Sequence, residues 1–170
     1  MEEPAYFAMP DDRRIAHRFA PGRGPSLVFL PGYMSDMSGS KATAVFDWAR
    51  AQGRACLLLD YSGCGASSGK FADGTLTRWA EEVVALIEAK CDNGFGGPVV
   101  LIGSSMGGWL MLLVALRLGE RVAGLIGVAA ALHSADVQVT LIKDGDHRLS
   151  READIALLLR TIAALVDDIS

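Results

Sequence analysis

Five short apolar runs constrain this chain most: Ser26 to Leu30, Ala55 to Leu59, Pro98 to Ile102, Val122 to Val128 and Val137 to Lys143. Each is too short for a core helix, and Gly, Pro, Asp or Ser flank most of them. That is the pattern of a strand buried on both faces. Helical periodicity fills the gaps between them. Lys41 to Ala51 carries Val45, Phe46 and Trp48-Ala49 on one side and stops at Gly53, and Leu76 to Lys90 carries Trp79, Val83, Leu86 and Ile87. Trp109 to Leu118 stops at Gly119, and a last helix, capped by Ser150, runs toward Asp168 with Ile155, Leu158, Leu159, Ile162, Leu165, Val166 and Ile169 on one face. Alternation of this kind predicts an α/β chain: a mostly parallel sheet with helices on both faces, in three layers. Tyr6 to Met9 and Ile15 to Ala20, around the polar Pro10-Asp11-Asp12-Arg13 turn, read as an opening hairpin.

The third run leads directly into Gly103-Ser104-Ser105-Met106-Gly107-Gly108, and a helix follows at once. A serine flanked two residues away on each side by glycine, set between a buried strand and a helix, is the pattern of a nucleophile on a sharp turn. Gly103 and Gly107 remove side chains that would collide across the turn, and Gly108 lets the helix approach the strand. Ser105 would stand above the carboxyl edge of the sheet, where open α/β sheets bind ligands. The positive end of the helix would favour a developing anion there. No lysine follows the glycines as a Walker loop requires, and no G-x-G-x-x-G follows the first strand. Acyl transfer needs an oxyanion hole. The expected donors are the backbone N–H of Met106 and that of Tyr33, in the Pro31-Gly32-Tyr33 turn after the first buried strand.

His147, in Lys143-Asp144-Gly145-Asp146-His147-Arg148, lies between the fifth run and the last helix. Serine before histidine is the chain order this fold uses, so His147 is the candidate general base. The elbow, Leu30-Pro31-Gly32-Tyr33, Asp60-Tyr61-Ser62-Gly63-Cys64-Gly65 and Asp146-His147-Arg148 together resemble the α/β-hydrolase superfamily. Gly107-Gly108-Trp109-Leu110-Met111-Leu112 and Asp146-His147-Arg148 bring the chain nearest to the family of mitochondrial palmitoyl-protein thioesterases that also cleave acyl glucuronides, and to their bacterial relatives. The resemblance covers residues 6 to about 130 and about 134 to 169. It implies a Ser-Asp-His triad, hydrolysis of carboxylic esters or thioesters through an acyl-enzyme on Ser105, and no cofactor.

One departure stands out. Family members carry a lid, and a further strand that ends in the catalytic aspartate, between the Val122 to Val128 and Val137 to Lys143 runs. Here only Ala129 to Asp136 intervene. We therefore expect a single domain, 1–170, with an internal deletion near 130–135, lacking the lid and the acid-bearing strand. Eight linker residues span at most ~28 Å. A parallel crossover takes about a dozen or more. So short a link favours an antiparallel fifth strand, which would carry His147 away from Ser105. A rearranged minimal hydrolase, a partner-completed one and a catalytically impaired binding domain or fragment all remain open. The sheet edge left exposed offers a route to self-pairing.

Composition bounds the rest. The chain has 170 residues, 51% apolar and of net charge −4, with no basic run that would suggest nucleic acid. No window spans a bilayer, and Met1-Glu2-Glu3-Pro4 has no leader character, so a cytoplasmic location is expected. Cys56, Cys64 and Cys91 match no metal or redox spacing, and His17, His133 and His147 are too scattered for a metal site.

Overall fold

The computed structural model describes residues 3–91, 98–129 and 149–169. The Val137 to Lys143 run, Asp136, Asp144, Asp146, His133 and His147 lie outside the described residues. Among those described, six strands form one sheet: β1 (Ala5–Ala8), β2 (Arg14–Ala20), β3 (Arg23–Leu30), β4 (Arg54–Leu59), β5 (Val99–Ser104) and β6 (Val122–Val128). Their spatial order is β1-β2-β4-β3-β5-β6. The opening hairpin pairs antiparallel, and β2 meets β4 antiparallel; β4, β3, β5 and β6 run parallel.

Side chains along each central strand alternate between two cores, as a period of two requires. Val28, Leu30, Leu57, Leu59, Val99 and Leu101 face one core, which also takes Trp79, Val83, Leu86, Leu110 and Val114. Those five come from α2 (Leu76–Cys91) and α3 (Met106–Leu118). Leu27, Phe29, Cys56, Leu58, Val100 and Ile102 face the other. There they meet α1 (Ser40–Ala51) through Ala42, Val45 and Ala49, and α4 (Glu152–Asp168) through Leu158, Ile162 and Val166. Burying each of these large side chains contributes roughly 1.5–3 kcal/mol over leaving it in water. This is the three-layer arrangement the alternation predicts. No helix among the described residues is long and apolar enough to cross a membrane.

Several element starts differ from expectation, those of α4 and α3 among them. Residue 151, not Ser150, caps α4: the Asp154 carboxylate accepts the Arg151 backbone N–H at 3.2 Å and takes the guanidinium in two bonds of 2.9 Å. A carboxylate three residues into the helix satisfies the cap N–H better than Ser150 does from one residue further out. Ser150 instead receives a hydrogen bond from Lys41 Nζ at 3.2 Å. Helix α3 starts at Met106 rather than Trp109, so Gly107 and Gly108 lie inside its first turn.

Candidate active site

Strand β5 ends at Ser104 and α3 begins at Met106, leaving Ser105 alone at the junction with φ 52° and ψ −117°. A positive φ outside glycine costs on the order of 1–3 kcal/mol and persists only where the surroundings impose it. Here two hydrogen bonds impose it. Ser105 N–H donates to Val128 O at 2.9 Å, and Ser105 O accepts Gly108 N–H at 2.9 Å. The flanking glycines meet main chain, not side chains. A Cβ on Gly103 would lie 2.5 Å from Gly107 O and 2.6 Å from Gly108 Cα; one on Gly107 would lie 2.1 Å from Leu30 O and 2.6 Å from Pro31 O.

The facing loop is set by strand register. Leu30 pairs with Gly103, so Pro31-Gly32 runs on beside Ser104-Ser105. The approach is close enough that a Cβ on Gly32 would sit 3.1 Å from Ser104 O and 3.3 Å from Ser105 Cβ. Gly32 opens a turn whose carbonyl accepts Ser35 N–H at 3.1 Å, with Met34 at φ 50°. Positive φ at the third residue alone is the type II pattern. In a planar trans peptide the C=O and N–H point opposite ways, so binding the Gly32 carbonyl to Ser35 turns the Tyr33 N–H away from that side. Met106, first in α3, has an N–H with no acceptor within its helix. Ser105 and Tyr33 line the same cleft of about 500 Å³, with Gly32, Ser104, Lys41 and Ser150.

A third loop braces this one. Asp60, which follows the carboxyl end of β4, is 2% exposed. One of its carboxylate oxygens accepts Met37 N–H at 2.7 Å, the other Ala66 N–H at 2.9 Å. Burial pushes this carboxyl above its ordinary range, against those two N–H groups. The charge thus ties the loop after β3 to the loop after β4. Asp60→Asn supplies one acceptor where two donors arrive, and turns an amide N–H toward the other. It should cost about 1–3 kcal/mol. Urea unfolding checks this: the midpoint should fall with the m-value unchanged. A fully buried Glu82 braces the same loop from α2. It accepts Ser62 N–H at 2.9 Å and pairs with Arg13, which also binds Asp11 at 2.7 Å. Burial raises the Glu82 carboxyl.

Other candidates are excluded by placement. Cys64 is buried, and burial pushes its thiol up to about 11, so it carries almost no thiolate at neutral pH. His17 lies on β2, three strand spacings from β5, a separation of roughly 14 Å across the sheet. Burial also lowers its pKa. It is too far away to be the base for Ser105. Asp36, a carboxylate that lines the cleft, accepts Ser38 N–H at 2.7 Å in a local turn.

A model described as "Alpha/beta hydrolase family" matches residues 27–168. The chain belongs to this family. As an α/β hydrolase it is 38% identical over 151 residues to the human "Palmitoyl-protein thioesterase ABHD10, mitochondrial", a match over 89% of this chain and 47% of that protein. The chain spans about half the length of the curated relatives it matches. Among solved structures it resembles "Alpha/beta hydrolase domain-containing protein 10 from mouse", with TM-score 0.89, 27% identity, and 99% of this chain and 100% of that chain covered. A "Putative hydrolase from Agrobacterium vitis S4" matches with TM-score 0.81 and 25% identity over 97% and 100% of the two chains. These findings overturn one expectation about this α/β hydrolase. The human and Pongo abelii relatives are both named mitochondrial, which points away from the cytoplasmic location expected from the first residues. The composition of those residues carries no compartment information of its own.

Proposed function

We propose that this α/β hydrolase cleaves carboxylic esters or thioesters through an acyl-enzyme on Ser105. The observation that carries the reading is the backbone of Ser105: a non-glycine residue held at φ 52° between a parallel strand and a helix N-terminus, at the mouth of a cleft. Such strain is retained where it serves chemistry. In this reading, which requires the segment before α4 to return His147 to the Ser105 edge of the sheet, the Ser105 Oγ attacks the acyl carbonyl and passes its proton to His147. The carbonyl oxygen becomes an oxyanion held by the N–H groups of Met106 and Tyr33. Collapse expels an alkoxide or thiolate, which takes the proton back from His147. Water, deprotonated by the same imidazole, then attacks the acyl carbonyl; the acid is released as the Ser105 C–O bond breaks, and the imidazolium returns the proton to Ser105 Oγ. The relatives' printed name supports long-chain acyl thioesters on proteins as the substrate class. A single sheet with both faces covered supports reading 1–170 as one domain, shortened near 130–135 against the longer relatives.

Labelling with a fluorophosphonate, followed by peptide mass spectrometry, tests the proposal. One adduct is expected on Ser105, together with turnover of p-nitrophenyl acetate. Absence of both in the wild type would show a chain that keeps the fold without the chemistry.

A further inference from the structure

We propose that Tyr61 is a positioning residue for the oxyanion loop, acting through the carbonyl of Pro31; the proposal rests on the reading of Tyr33 and Met106 as oxyanion donors. Tyr61 follows Asp60 beyond the end of β4 and is fully buried, although it carries a polar hydroxyl. That hydroxyl donates to Pro31 O at 3.0 Å. A buried phenol needs such a partner, yet the partner here is a particular one: the last carbonyl before the Gly32–Tyr33 turn. The same carbonyl oxygen is one of the two atoms that the glycine at 107 lets the elbow helix approach. The Pro31–Gly32 peptide is therefore held from two sides, by the Tyr61 hydroxyl and by the first turn of α3.

Planarity passes the constraint on. With the Pro31 carbonyl held, the whole Pro31–Gly32 plane is set, and only the two dihedrals of Gly32 separate it from the peptide that bears the Tyr33 N–H. Those dihedrals are held at the far end by the Ser35-to-Gly32 bond. Remove the hydroxyl and the near end of the glycine, the most permissive residue in the loop, keeps only its packing against the first turn of α3. The ring is itself held. It stacks on Trp79 at 5.4 Å between centroids, and Trp79 Nε1 donates to Ser62 O at 3.0 Å. Burial drives the phenol pKa well above its ordinary value, so the hydroxyl is a donor throughout the working pH range and takes no part in proton transfer.

The test separates positioning from packing. Tyr61→Phe keeps the stacked ring and deletes the bond. Loss of a direct oxyanion donor lowers kcat about 10²–10³-fold, so a donor left in place but unanchored should lose roughly 10-fold or more. KM should stay within about twofold, and affinity for a boronic acid, which forms a tetrahedral adduct on the serine, should fall in parallel with kcat. Leu86→Ala serves as the packing control: it opens the same core from α2 and leaves Tyr61, Trp79 and their bonds in place, so its stability should drop while kcat holds within a few-fold. Equal kcat and boronate affinity in wild type and Tyr61→Phe would overturn the positioning role alone. A wild type that neither turns over nor binds boronate would overturn the hydrolase reading with it. Should Tyr61→Phe fail to fold, 3-fluorotyrosine at position 61 keeps ring and bond and makes the donor more acidic; a changed kcat at unchanged KM supports the role, and an unchanged kcat overturns it.

Discussion

Alanine at position 105 should lower kcat/KM for a short-chain p-nitrophenyl ester by about 10⁴-fold or more, down to what the cleft alone supplies. The size of the loss follows from the serine's place in the sequence of steps. It is the atom acylated, and the other groups act on that bond, so removing it leaves no acyl-enzyme to stabilise. The fold should survive, because two hydrogen bonds that hold the elbow join main-chain atoms: Ser105 N–H to Val128 O and Gly108 N–H to Ser105 O. A companion variant sharpens the reading. Alanine inherits φ 52° and its strain, whereas glycine adopts that φ without it. Ser105→Gly should therefore be equally inactive and more stable than Ser105→Ala by about 1–2 kcal/mol. Steady-state kinetics and urea unfolding of the two variants side by side check both halves. A wild type no more stable than Ser105→Gly would agree with a site that gives up stability for geometry.

Gly107→Ala should cost above about 3 kcal/mol, at the severe end of overpacking. A Cβ there would fall 2.1 Å from Leu30 O and 2.6 Å from Pro31 O. Both are main-chain atoms of the strand and loop beside the elbow, so no rotamer change relieves the contact. The first turn of α3 would have to lift from β3, and with it the N–H of Met106. Esterase activity should fall at least ~100-fold in whatever fraction folds, since donors misplaced by an ångström lose most of their effect. Gly124→Ala provides the contrast. Its Cβ would meet Leu165 Cδ2 at 2.7 Å, the end of a flexible side chain that can swing aside. That variant should stay within about 1 kcal/mol of wild type and keep its activity. Thermal or urea unfolding of the pair, with activity measured on the soluble fraction, distinguishes the elbow's glycine from an ordinary one.

The architecture is legible in the sequence because central strands declare themselves. Leu57, Leu58 and Leu59 are adjacent and all buried, which happens only when both faces of a strand are covered. The elbow is legible for a related reason: its glycines sit at fixed offsets from the serine, so spacing alone carries the geometry. What local pattern does not carry is contact between distant segments. Asp60 reads in sequence as part of a glycine-punctuated loop, and its bond to Met37 joins residues 23 apart. Lys41 and Ser150, 109 apart, meet beside the cleft. Ser150 reads as the helix cap because serine favours that position; a carboxylate on Asp154 decides otherwise. The start of β3 at Arg23 is hidden by Gly24-Pro25, residues that argue against a strand unless tertiary pairing supplies the register, as Arg23 opposite Arg54 does. A start at Trp109 for α3 falls three residues late because Gly107 and Gly108 are poor helix formers, kept there by the close approach to β3 and β5.

The bond from Ser105 N–H to Val128 O gives the outermost parallel strand a second duty. Among the described residues β6 is the margin of the sheet, paired on one side by β5. Segments with few buried contacts and exposed backbone hydrogen bonds open first. The margin of the described sheet also holds the backbone of Ser105, the nucleophile in the proposed reading. Fraying that elsewhere would loosen a few surface residues would here release the torsion at position 105, so in the proposed reading the rate of the reaction and the integrity of one sheet border are bound to a single carbonyl. Remodelling on that flank, however remote from the cleft it looks, reaches Ser105 in one step.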